Sequence, residues 1–109
     1  MRLDVPKPGQ EAIEAWDKAI KEIPSFVDTG DVEFEAPTEM LCLTATTLAA
    51  QLRDAGYTAP RIVPGGEGDI CFEWHVSTKC VLVNLLVSNV IETTVFENCK
   101  LVSRGYSPV

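Results

Sequence analysis

Residues 60–76 read Pro60-Arg-Ile-Val-Pro64-Gly-Gly-Glu-Gly68-Asp-Ile-Cys-Phe-Glu-Trp74-His-Val76. Two prolines and three glycines fix a turn, after which apolar and polar residues alternate without a break, as in the half-buried first strand of a sheet. Ile70, Phe72, Trp74 and Val76 fall on one face; Cys71, Glu73 and His75 fall on the other. With Ser77-Thr78 as a two-residue turn, Trp74 pairs with Val81, Phe72 with Val83 and Ile70 with Leu85. Every core position then meets a core position, which fixes the register of a hairpin.

The next turn, at Ser88-Asn89, is harder to place. A two-residue loop would put Glu92 and Thr94 on the core face and Ile91 and Val95 beside Leu82 and Leu86 on the other. Either the loop has an odd length and flips the parity, or the sheet is apolar on both faces and Leu82, Leu86, Ile91 and Val95 form a dimer surface. A last strand, Cys99-Lys-Leu-Val102, precedes a Ser-Pro tail and completes a four-stranded antiparallel sheet.

Two helices precede the sheet. In residues 8–23, Ile13, Trp16, Ile20 and Ile23 recur at helical spacing, opposite the acid-before-base pairs Glu14/Lys18 and Asp17/Lys21, and Pro24 ends the pattern. A second helix runs from Thr38, its N-cap, to Ala55, with Gly56 as the C-cap glycine and Leu41, Ala45, Leu48, Leu52 and Ala55 as its apolar stripe. The small, β-branched run Thr44-Ala-Thr-Thr47 implies close packing against the sheet. Between the helices, Val32-Glu33-Phe34-Glu35 alternates as a short edge strand would. The expected fold is α+β, two helices on a four-stranded antiparallel sheet in the order α-α-β-β-β-β, with residues 1–109 as one domain.

Pro60-x-Ile62-x-Pro64 followed by Gly68-x-Ile70-x-Phe72-Glu73-Trp74 resembles the motif of a family of small bacterial proteins with no assigned activity. In that family a helix leads into P-x-[IV]-x-P, a D-G-G turn, [IV]-x-[LF]-E-W and a second strand. The order of elements matches over about residues 38–90. The tryptophan- and glycine-rich segment that the family places before its second helix is replaced here by Asp28-Thr-Gly-Asp-Val-Glu-Phe-Glu-Ala-Pro37. The resemblance implies the fold and a bacterial or phage origin, and it transfers no catalytic residue.

The net charge of −7 is uneven: residues 1–39 hold ten acids and four bases, residues 40–109 six acids and five bases. No base occurs between Lys21 and Arg53, whereas Asp28, Asp31, Glu33, Glu35 and Glu39 do. Such a stretch repels nucleic-acid phosphates and acidic membranes and suits a protein partner with a basic patch. The carboxylates do not follow an EF-hand spacing, no Cys-x-x-Cys occurs and there is one histidine, so neither metal nor cofactor is expected. The glycine loop lacks the Lys-Ser/Thr of a phosphate cradle. No apolar run reaches membrane-spanning length and the start, Met-Arg-Leu-Asp-Val-Pro, has no secretory pattern, so a cytoplasmic location with reduced thiols is the expectation.

Three functions remain in view. The first is a small acidic interaction protein, not an enzyme, that binds and inhibits or neutralises a protein partner in the manner of an antitoxin, immunity or phage anti-defence protein. The second is a homodimeric structural module. The third is a small enzyme on Cys80, His75 and Glu73, since the hairpin sets Cys80 opposite His75 with Glu73 on the same face.

Overall fold

The computed structural model describes Leu3, Val5, residues 12–27 and residues 35–109. Helix α1 spans Ala12–Glu22 and passes into a 3₁₀ segment, Ile23–Val27; helix α2 spans Glu39–Asp54. Five strands follow: β1 Arg61–Pro64, β2 Ile70–Val76, β3 Lys79–Leu85, β4 Val90–Glu97 and β5 Lys100–Pro108. They form one antiparallel sheet in the order β1-β2-β3-β4-β5. The α+β class stands, but the sheet has five strands, not four. The additional strand is Arg61–Pro64, whose bounding prolines read as a turn. At the sheet edge a proline costs no ladder bond, and Ile62 pairs with Phe72 and is buried with it. The last strand also extends to Pro108, through the stretch expected to be a tail.

Helix α2 is built as its caps dictate. The Thr38 hydroxyl accepts the Leu41 N–H at 3.1 Å. At the other end Gly56 takes φ 90°, its N–H bonding Arg53 C=O while Tyr57 N–H bonds Leu52 C=O, a Schellman closure. Leu41, Cys42, Ala45, Leu48, Ala49 and Leu52 are buried, whereas Ala55 is exposed. The threonines around Ala45 do not pack as expected; Thr44, Thr46 and Thr47 return their hydroxyls to carbonyls four residues back. In α1, Trp16 is buried and Ile13 exposed, and Asp17 reaches across to Arg53 at 2.9 Å rather than along its own helix.

The β2–β3 hairpin has the expected register, Trp74 opposite Val81, Phe72 opposite Val83, Ile70 opposite Leu85 and His75 opposite Cys80. The β3–β4 loop resolves the parity question. Leu86 N–H bonds Val90 C=O and Asn89 N–H bonds Leu86 C=O, leaving three residues, 87–89, in the loop with Asn89 at φ 61°. An odd loop of this kind ends on a left-handed residue. It places Ile91, Thr93 and Val95 opposite Leu85, Val83 and Val81 on the core face.

The core lies between the helices and β1–β4. Trp16 and Trp74 meet edge-to-face, ring centroids 6.4 Å apart at 64°. Trp16 Nε1 donates to Tyr57 C=O at 2.6 Å, and Trp74 Nε1 to Thr58 C=O at 2.7 Å. Helix α1 and the 3₁₀ segment pack on β1, and α2 packs on β2.

Two substitutions test this frame in denaturant unfolding. Trp16→Ala is expected to lower stability by about 3–5 kcal/mol, the range for emptying an indole-sized core site. Asn89→Val, a β-branched residue at a left-handed position, is expected to cost about 1–3 kcal/mol, and Asn89→Gly to be tolerated.

Candidate protein-binding surface

Because the helices cover one face of the sheet, the alternation in each strand assigns the other face its own residues. From β2 these are Cys71, Glu73 and His75; from β3, Cys80, Leu82 and Asn84, with Leu86 just beyond. From β4 they are Glu92, Thr94 and Phe96, paired with Tyr106, Arg104 and Leu101 of β5. Leu82, Leu86 and Phe96 are half-buried and Leu101 is exposed, so this outer face is a mixed apolar and polar surface. Its central residues are shielded by cross-strand neighbours: Thr94, between Leu82 and Arg104, is 3% exposed, and Cys71, between Val63 and Asn84, is 8% exposed.

The expected dimer residues do not share this face. Leu82 and Leu86 lie on it, but Ile91 is buried on the helix side and Val95 packs against the core. The three-residue loop separates the two pairs.

Of the acidic residues expected to bind a partner, Asp28, Asp31 and Glu33 lie outside the described residues. Glu39 is exposed in the first turn of α2. Glu35 is exposed and held by its main chain, whose N–H bonds Gly66 C=O and whose C=O accepts the Gly68 N–H, both at 3.0 Å. This single parallel bridge, Glu35 to Glu67, brings two carboxylates to one turn. Gly68 is buried there at φ +80°, and a Cβ would meet Val87 Cγ1 at 2.9 Å. Among the described residues, no three His, Cys, Asp or Glu side chains gather closely enough to hold a metal ion.

The hairpin does set Cys80 opposite exposed His75. Glu73, however, faces Arg61 at 3.8 Å across β1–β2, and the Cys80 thiol is pushed up, first by burial and then by the Glu73 charge. This is the opposite of the depression that activates a nucleophile. Cys71 goes further: burial, then Glu73 and Asp69, raise it from 9.0 to about 12.

Two features were missed in the sequence. One is a groove of about 560 Å³ between α2 and the sheet, lined by Thr44, Thr47 and Gln51 above Leu85, Ile91 and Ser107. The other is β5, exposed along its whole length. The helix-facing positions of β5, Ser103, Gly105 and Ser107, are small, and that run of small residues was the available signal for the groove.

The architecture is an α+β two-layer sandwich with a five-stranded meander. No family model matches this chain, and neither a curated protein nor a solved structure matches it. Among the described residues no helix is long and apolar enough to cross a membrane.

The raised Cys71 pKa has a stability consequence. Above pH 9 the unfolded thiol loses its proton while the folded one keeps it until about pH 12. Its contribution is therefore complete below pH 9 and lost as pH rises through this window. Unfolding titrations should show a decline between pH 9 and 12 that is smaller in Cys71→Ala. In native alkylation at pH 8, exposed Cys99 should react well before Cys71.

Proposed function

We propose that this chain is a small, non-enzymatic interaction protein whose partner is another protein, docked on the outer face of the sheet. The observation that carries the reading is that this face, bearing Leu82, Leu86, Phe96 and Leu101, lies opposite the helices. Apolar side chains rimmed by Glu73, Glu92 and Arg104 are the composition of a recognition surface. The raised thiol of Cys80 supports this reading over a thiol enzyme.

A second surface contributes charge. Exposed Glu35 and Glu39, with Asp28, Asp31 and Glu33 nearby in the chain, suit a basic patch on the partner. Neutralisation of such a partner, as by an antitoxin, immunity or anti-defence protein of bacterial or phage origin, is the form of the reading that the acidic balance favours. A homodimer is the alternative. It would use Leu82 and Leu86 but not Ile91 and Val95, which face the core.

Affinity capture from host extract tests the main reading. Leu82→Ser with Phe96→Ala should reduce recovery of the partner at least tenfold while the melting temperature stays within a few degrees; unchanged recovery would refute it. Reversal of Asp31, Glu33 and Glu35 to Lys tests the acidic contribution separately, with binding expected to be lost in a folded domain. Light scattering at high micromolar concentration decides the dimer, which a monomer reading excludes.

A further inference from the structure

The two edges of the sheet are unlike. Strand β1 has four residues, is bracketed by Pro60 and Pro64, and has α1 and the 3₁₀ segment packed on it. Short length and proline are the usual protections of an edge. Strand β5 has nine residues, all exposed, and its only proline is Pro108 at the end. Leu101, Val102 and Tyr106, 53%, 62% and 62% exposed, stand on it.

The ladder shows which main-chain groups of β5 are open. Val109 N–H bonds Asn89 C=O at 3.1 Å, so residues 89 and 109 form a hydrogen-bonded pair. Pairs alternate along an antiparallel ladder. Val90–Pro108, Glu92–Tyr106 and Thr94–Arg104 are therefore the non-bonded pairs. The N–H and C=O of Tyr106 and Arg104 point to the free edge, as does the C=O of Pro108. The proline thus sits where its missing donor weakens nothing in the β4 ladder. The bulge at Val95/Phe96 leaves Ser103–Pro108 as a regular run that contains all of these groups.

Charge selects the occupant. Strand β5 carries Lys100 and Arg104 and no acid, although the chain as a whole is at −7. Neither base belongs to an ion pair among the described residues. A second β5 paired antiparallel and centred on Arg104 or Gly105 would bring Arg104 opposite or diagonal to its own copy, a like-charge contact, and one centred on Tyr106 would set Arg104 opposite Pro108, which has no N–H to return; both disfavour self-pairing. An acid-bearing strand meets no such cost.

We propose that β5 accepts an extended, acidic segment of the partner as a sixth antiparallel strand, through the main-chain groups of Arg104 and Tyr106 and the charges of Lys100 and Arg104. The proposal rests on the protein-binding reading above. Main-chain bonds supply affinity in strand addition, and side chains supply selectivity.

A library of random ten-residue peptides, selected on the intact protein, tests it. Acid-rich peptides should be enriched. They should slow amide exchange at Arg104 and Tyr106 at least tenfold, and Lys100→Glu with Arg104→Glu should weaken them at least tenfold without shifting the melting temperature. Enrichment of neutral or basic peptides, unchanged exchange at the two amides, or a β5-mediated dimer in sedimentation would overturn it. Peptides that footprint on Leu82 and Phe96 but leave both amides unchanged would overturn strand addition alone. Peptides retained on β5 in a Leu82→Ser, Phe96→Ala protein whose partner capture is also unchanged would overturn the outer-face reading alone.

Discussion

Two indole N–H groups end on consecutive carbonyls, and the rest of the structure is arranged around them. Trp16 of α1 donates to Tyr57, and Trp74 of β2 donates to Thr58, while the rings meet edge-to-face. The segment between α2 and β1 is thereby held from the helix layer and from the sheet at once. The bond from Trp16 is buried and the bond from Trp74 part-buried. Loss of the Trp16 indole would remove a buried hydrogen bond to the Tyr57 carbonyl, at a cost of about 1–3 kcal/mol beyond the lost packing. The Schellman closure at Gly56 delivers the chain to this point, and the Tyr57 hydroxyl accepts the Leu3 N–H at 3.0 Å, so Leu3 is fastened to the same residue.

What the sequence made legible follows from how local each signal is. The β2–β3 hairpin could be read residue by residue, because its two-residue turn leaves no freedom in register and both strands alternate strictly. The cap residues Thr38 and Gly56 act within a few residues of themselves, one through its hydroxyl and the other through its backbone, and were equally plain. Strand β1 was hidden because its prolines carry the same signature in a turn and at a sheet edge; only pairing with β2 distinguishes the two. The β3–β4 parity hung on the count of loop residues, which Asn89 in the left-handed region decides. Strand β5 was cut short since Ser103, Gly105, Ser107 and Pro108 suggest a tail, and the pairing with β4 that makes them a strand is a tertiary fact.

The candidate surface was legible in part for the same reason. The pairing of His75 with Cys80 followed from the hairpin, but the burial and the Glu73 charge that raise the thiol depend on the neighbouring strands. The proposed dimer patch failed as a unit when Ile91 and Val95 turned to the helices. Edge exposure of β5 has no counterpart in composition at all, because it reflects where the helix layer stops.

The strand order has a kinetic consequence. In a β1-to-β5 meander each strand's partners are its neighbours in the chain, so every pairing closes a short loop. Proteins dominated by such contacts have low contact order and shorter search times. The exceptions are the bonds that reach Tyr57 from Trp16, 41 residues away, and from Leu3, 54 residues away. Closing loops of that length costs more chain entropy than closing a hairpin, so the sequential hairpins are expected to form before α1 docks and the two indoles meet.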